Sequence, residues 1–354
     1  MVALSTPCYL GVVKLHELDP NAAASPEGGI FGLPFPAREC HVVLLPVPWD
    51  VTTSYRPGAA KGPSAIVRAS HQIDLYDTET GRPYRVGIAM LDEDPEVVRW
   101  NARARALAEP IIEAGGAEGS AELSKVNALS AKLNGWVRAR ADEWLDRGRL
   151  VGVVGGDHSS PFGLIEAIAA RHPGVGILHV DAHADLRAAY EGFTWSHASI
   201  MHNVMERLDG VSKLVQVGVR DLCEEEVERA ETSAGRIVTH RDTTLAKRRL
   251  SGETWAAQCA AIVDGLPDEV YVSFDIDGLD PALCPHTGTP VPGGLSFIQA
   301  SMLLEAVAVT GRRIVGFDLN EVAPGPDGDE WDANVGARVL YRMIGWALRS
   351  RGEI

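Results

Sequence analysis

Three short apolar runs in this sequence each stop abruptly at a carboxylate or an imidazole, and no other feature constrains the fold as tightly. Val151-Gly152-Val153-Val154 runs into Gly155-Gly156-Asp157-His158. Gly176-Ile177-Leu178 leads into Val180-Asp181-Ala182-His183-Ala184-Asp185, and Tyr271-Val272-Ser273-Phe274 into Asp275-Ile276-Asp277. Short apolar runs bounded by glycine or polar residues read as strands buried on both faces. In extended backbone alternate residues point the same way, so Asp181, His183 and Asp185 share one side. Alone, that stretch reads equally well as a polar turn; repeated at three strand ends, the design points to one site.

In all, strands are predicted at His41 to Val47, Val86 to Met90, Leu150 to Val154, Gly176 to Val180, Leu214 to Val219, Arg236 to Thr239, Val270 to Phe274 and Ile314 to Phe317, which makes eight. Helical segments separate most of them. The longest spans about Ala121 to Asp146, where Leu129, Leu133, Trp136, Val137 and Leu145 form one apolar stripe. Strand and helix in alternation favour an α/β fold with a mainly parallel sheet covered on both faces, because parallel neighbours need crossovers. Ligands of such sheets bind at the carboxyl ends of the strands. His158, the Asp181 group, Arg220, the Asp275 pair and Glu321 all fall on that edge, although they are scattered along the chain.

Residues 1–40 are rich in Pro, Gly and Ala and are expected to form an irregular N-terminal arm, disordered or packed on a neighbouring subunit. No linker interrupts 41–354, so a single catalytic domain is expected there. The formal charge of −15 argues against a nucleic-acid partner and suits a cationic substrate. Five cysteines, Cys8, Cys40, Cys223, Cys259 and Cys284, are scattered without a Cys-x-x-Cys pair, so neither a disulfide framework nor a thiolate zinc site is indicated. With no leader and no apolar stretch of membrane-spanning length, a cytoplasmic protein is expected.

His158, Asp181, His183, Asp185, Asp275 and Asp277 are too many ligands for one catalytic zinc but suit two ions that share carboxylates. Four carboxylates and two imidazoles favour Mn²⁺, and the imidazoles leave Ni²⁺, Co²⁺ or Zn²⁺ open. Two such ions lower the pKa of a shared water, so metal-assisted hydrolysis is the expected chemistry.

Gly155-Gly156-Asp157-His158-Ser159, Asp181-Ala182-His183-Ala184-Asp185 and Ser273-Phe274-Asp275-Ile276-Asp277-Gly278-Leu279-Asp280-Pro281, with Gly288-Thr289-Pro290 and Gly293-Gly294, resemble the three signatures of the ureohydrolase family, which includes arginases and agmatinases. The resemblance covers roughly residues 41–349. It implies a three-layer α/β/α fold with an eight-stranded sheet, a dinuclear metal centre, release of urea from a guanidino carbon, and a homo-oligomer, trimer or hexamer. By the same resemblance His158 and Asp185 bind one metal, His183 and Asp277 the other, and Asp181 and Asp275 bridge. His197 matches a proton shuttle, Glu321 a carboxylate that grips the guanidinium, and Asp185 a proton relay.

Substrate choice is where the sequence departs from the arginases. They resemble one another in an Asn two residues after the last Asp of the second signature, where this chain has Arg187. The stretch from Arg187 through Tyr190, Phe193 and Trp195 to His197 resembles instead a branch loosely called agmatinase, which includes nickel-dependent hydrolases of free guanidine and its small derivatives. Arg187, Tyr190 and Trp195 are expected at the substrate, as is His286, which stands where the family commonly has Gly. The expected substrate is a small cationic guanidine such as agmatine or guanidine itself. The alternatives are substituted guanidines or biguanides, formimidoylglutamate, arginine, a non-catalytic partner subunit of an active homologue, and another metal-dependent amide hydrolase.

Overall fold

The structure is a computed structural model that describes residues 18–25 and 27–354. Its strands are β1 Val42–Val47, β2 Ile88–Met90, β3 Leu150–Gly155, β4 Val175–Val180, β5 Val211–Val217, β6 Ile237–His240, β7 Glu269–Asp275 and β8 Arg313–Asn320. The helices are α1 Gly62–Ser70, α2 Pro95–Glu113, α3 Ala121–Leu145, α4 Phe162–Arg171, α5 Ile200–Arg207, α6 Glu224–Thr232, α7 Asp242–Leu250, α8 Trp255–Asp264, α9 Phe297–Val309 and α10 Trp331–Ser350. The strands pair in the order β2-β1-β3-β8-β7-β4-β5-β6, every pair parallel.

Alternation along the strands builds the two outer layers. Val42 and Leu44 join an apolar cluster with α1, α8, α9 and α10, while Val43, Leu45 and Val47 join a second with α2, α3, α4 and α5. Helix α3 starts where Ser120 accepts the Leu123 N–H, a side-chain N-cap. No helix among the described residues is long and apolar enough to cross a membrane.

Two expectations change here. Residues 1–17 and 26 of the expected arm lie outside the described residues, and so does Cys8. Within the rest, Ile30, Phe31, Leu33 and Phe35 are buried in the chain's own core instead of on a neighbour. The Phe31 N–H donates to Ser70 Oγ at 2.7 Å, and its ring meets Tyr341 edge-on with centroids 4.7 Å apart. Second, β5 ends at Val217 and not at Val219, because Gly218 turns into the left-handed region at φ 99°.

Candidate metal centre

The adjacency of β3, β8, β7 and β4 in the middle of the sheet brings together side chains from distant parts of the chain. His158 follows β3, Asp181 to Asp185 follow β4, Asp275 closes β7 with Asp277 just beyond, and Glu321 follows β8. Glycine at 156 is required by a close approach: a Cβ there would lie 2.0 Å from the Trp49 carbonyl oxygen. Gly156→Ala is therefore expected to displace the turn that carries His158. Loss of metal binding together with a Tm drop of several degrees checks this, and an unchanged Tm contradicts it.

His158 Nδ1 lies 2.9 Å from Asp181 Oδ2, 3.2 Å from Asp275 Oδ2 and 3.3 Å from Asp185 Oδ2. Its other nitrogen, Nε2, lies 2.9 Å from Ser273 Oγ, whose hydroxyl donates to Asp318 Oδ1 at 3.0 Å. Ser273 spends its proton on Asp318 and accepts from Nε2–H, so Nδ1 is the nitrogen that faces the carboxylates and that a metal would take. On the other side, His183 Nδ1 is 3.1 Å from Asp277 Oδ2 and 3.4 Å from Asp181 Oδ1. Asp181 thus reaches both groups, one oxygen to each. Asp275 reaches only His158, since its Oδ1 accepts the Asp277 N–H at 2.8 Å.

These distances fit bound cations. Asp181, Asp185, Asp275 and Asp277 are buried, and the only cationic side chains paired with them among the described residues are histidines. One proton on His158 Nδ1 can satisfy one of the three oxygens around it, whereas a divalent cation satisfies all three at once. The oxygen-rich set with two imidazoles matches a hard or borderline metal.

Burial and the Asp181 charge push the Asp185 carboxyl up to about 7, and burial with the Asp277 and Asp181 charges lifts Asp275 well above the usual carboxylate range. Burial alone would lower His158 and His183, but their carboxylate neighbours outweigh it and hold both well above the ordinary imidazole range. All four shifts mean that near pH 7 the folded, metal-free chain still holds protons that the unfolded chain has released, and gives them up as pH rises further. Stability must then fall as pH rises. Histidines shifted downward, such as His197, act in the opposite sense only below about pH 6.5. The Tm of metal-free protein is therefore expected to drop by several degrees from pH 7 to 9, and saturating Mn²⁺ should flatten the curve. A metal-free Tm that rises over this range contradicts the arrangement.

A cavity of about 150 Å³ opens beside His183 and Asp185, with Arg187, Tyr190, His197, Asp221 and Glu226 on its wall. The Thr52 hydroxyl accepts the His197 backbone N–H at 3.2 Å and pairs with Nδ1 at 3.3 Å, which leaves Nε2 as the ring nitrogen that this hydroxyl does not engage. Burial and the cationic His183 and His158 push His197 down to about 3, so the ring is neutral. The Arg187 guanidinium stacks over Tyr190 at 5.1 Å, and its Nε lies 3.8 Å from Glu226 Oε2. Glu226 is itself fixed by the N–H groups of Leu186 (2.9 Å) and Cys223 (2.8 Å). Asp221 and Glu226 were not singled out from the sequence. Their signal was their place, one just after β5 and the other in the acidic first turn of α6.

Two side chains expected at the substrate lie elsewhere. Trp195 packs edge-on against Phe162 at 4.8 Å and under Arg207, because the tight turn from Tyr190 to Phe193, with Glu191 at φ 52° and Gly192 at 88°, swings the chain back onto α4. His286 binds buried Asp332 of α10 through its backbone N–H at 2.8 Å and Nδ1 at 2.9 Å, which anchors its loop. Arg220 likewise clamps backbone, donating to the carbonyls of Gly218, Asp277, Leu279 and Val291. Glu321 is buried and is not on the cavity wall; its Oε1 accepts the His158 N–H at 2.9 Å. Asp185 (φ 55°) and Glu321 (φ 62°) both hold left-handed backbone, the strain often found at functional sites.

Comparison with known proteins places this geometry in context. The sequence pattern of the Arginase family matches residues 40–345. An N(1)-aminopropylagmatine ureohydrolase of Thermus thermophilus is 35% identical over 88% of this chain and 91% of its own length. A guanidinobutyrase of Pseudomonas aeruginosa is 31% identical over 84% of this chain and 83% of its own. The crystal structure of agmatine ureohydrolase of Thermoplasma volcanium superposes with a TM-score of 0.69 at 24% identity, covering 89% of this chain and 92% of that one, and so supports the fold.

Proposed function

The chain belongs to the arginase family, and from that membership we propose that it hydrolyses a guanidino C–N bond of a small cationic guanidine compound, agmatine or free guanidine, releasing urea with an amine or ammonia. The observation that carries this reading is the meeting of two imidazoles and four carboxylates around Asp181, beside a cavity small enough to enclose a guanidinium. We assign His158, Asp181, His183, Asp185, Asp275 and Asp277 to a dinuclear centre, with Mn²⁺ the first choice and Ni²⁺ the second. Divalent ions held there supply Lewis acidity and lower the pKa of water enough for it to act as a nucleophile near neutral pH.

The protein's own groups orient the substrate and move protons. We assign Glu321, buried behind the cavity wall with Oε1 held by the His158 N–H, to grip the planar guanidinium once it reaches past that wall toward the metal ligands. Asp185, which lines the cavity and reaches His158 Nδ1 at 3.3 Å, is assigned the relay of a proton to the leaving nitrogen. His197, a neutral ring on the cavity wall, can hydrogen-bond the leaving nitrogen, while the proton that nitrogen takes up comes from Asp185. The complete ligand set argues against a non-catalytic partner subunit. Arg187 on the wall favours a second reading, a substrate with a carboxylate tail such as guanidinobutyrate or formimidoylglutamate. Glu226 already stands beside that guanidinium, which weakens the second reading.

We also propose a cytoplasmic homo-oligomer, trimer or hexamer, which light scattering of the purified protein checks. The test of function is a urea-release screen of agmatine, arginine, guanidine, guanidinobutyrate and biguanides, with enzyme reconstituted separately with Mn²⁺ and Ni²⁺. Turnover is expected for agmatine or guanidine. Urea from none of them overturns the reading.

A further inference from the structure

His179 lies two residues before Asp181 on β4, is fully buried, and sits beside His158 with ring centroids 5.1 Å apart. Its Nε2 is 2.8 Å from Asp181 Oδ2, the same oxygen that faces His158 Nδ1. By distance alone it belongs with the ligands. Its other nitrogen decides otherwise. Gln216 on β5, also fully buried, places its amide nitrogen 3.0 Å from His179 Nδ1 and 2.7 Å from the Ala184 carbonyl oxygen. That carbonyl only accepts, so the atom facing it must be the amide nitrogen. The amide oxygen, so oriented, accepts the Thr239 hydroxyl of β6 at 2.9 Å. Nδ1 of His179 is therefore an acceptor, and the ring proton sits on Nε2.

We propose that His179 is a positioning residue of the metal centre: locked as the Nε2–H tautomer by Gln216 and Thr239, it donates to Asp181 Oδ2 and holds that carboxylate between the His158 and His183 groups. The relay crosses three adjacent strands, β4, β5 and β6, so the sheet itself sets the carboxylate's rotation. Asp181 can turn neither oxygen away without breaking either this bond or the 2.6 Å bond that its Oδ1 accepts from the His183 N–H. Groups of this kind orient ligands, and their loss costs about 10–100-fold in metal affinity.

This inference rests on the metal reading above, and Mn²⁺ titration of the full-length, metal-free protein against a chromophoric chelator separates the two. If the wild-type protein binds neither Mn²⁺ nor, in a parallel titration, Ni²⁺, the metal reading fails. If it does, His179→Phe, which keeps the ring volume but has no N–H, is expected to raise the Kd by ~10–100-fold. His179→Gln, whose amide can donate in place of Nε2–H, should recover most of that loss. Gln216→Met tests the lock without touching the ring, so it decides the matter if His179→Phe does not fold. In ¹⁵N spectra of histidine-labelled protein His179 should show the Nε2–H tautomer, and the Gln216 variant should lose that preference. An unchanged Kd in both His179→Phe and Gln216→Met overturns the proposal. So does a loss of affinity that His179→Gln leaves unrescued while the metal-free Tm falls in parallel, because that pattern belongs to packing alone.

Discussion

Asp181→Asn is expected to remove urea release and metal together, with turnover down by more than ~100-fold, beyond the upper end of what loss of an outer contact costs. The substitution preserves size and shape, so the effect must come from charge and hydrogen bonding. Asp181 Oδ1 accepts the His183 N–H and lies 3.4 Å from the His183 ring, while Oδ2 faces His158 and His179. An amide has a single acceptor atom. Whichever way Asn turns, its NH₂ must meet either the His183 N–H or the His179 Nε2–H, donor against donor. The negative charge that both imidazole groups share disappears as well. Asp275→Asn is expected to act more on the His158 side, since Asp275 reaches only that imidazole. Metal analysis of the purified variants measures this directly. Full occupancy with normal turnover in Asp181→Asn would remove that residue from the centre.

What was legible in the sequence, and what was not, divides along a physical line. Buried parallel strands announce themselves as apolar runs, and a ligand at the carboxyl end announces itself by breaking one; all eight strands and the convergence of His158, Asp181, His183, Asp185, Asp275 and Asp277 follow from that contrast. Polar residues inside the strands send no such signal. Strand β8 was expected to stop at Phe317 but runs on to Asn320, with Asp318 held inside the sheet by the Ser273 hydroxyl and the Asn320 amide, both donating to its Oδ1. His179 and Gln216 were invisible for the same reason, since their hydrogen bonds to each other and to Asp181 exist only once β4 and β5 are paired. The opposite error befell residues 30–35, where Pro and Gly suggested a loose arm while Ile30, Phe31, Leu33 and Phe35 supply core.

Replacing Arg187 should change which guanidine the enzyme prefers, whereas replacing Trp195 should not. Arg187 occupies the cavity wall, stacked on Tyr190 and drawn toward Glu226, and so fills space that a substrate tail would need. The cavity of about 150 Å³ opens to solvent, so the tail of a bound guanidine must pass Arg187 on its wall. An amino-acid head brings an ammonium and a carboxylate as well, so arginine is expected to be a poor substrate beside agmatine or guanidine. Arg187→Ala removes the plug and frees the Glu226 carboxylate to meet a cationic tail. The ratio of kcat/KM for agmatine over guanidine should then rise by about 10-fold or more, the scale of a single interaction between pocket and substrate. Trp195 packs on Phe162 and under Arg207, outside the cavity, so Trp195→Ala should lower the Tm and leave that ratio within about twofold. Paired kinetics of the two variants on agmatine, guanidine and arginine decide between wall and packing. Arginine as the best wild-type substrate, or a ratio that Arg187→Ala leaves in place, would move the origin of specificity away from Arg187 without touching the assignment of the metal centre.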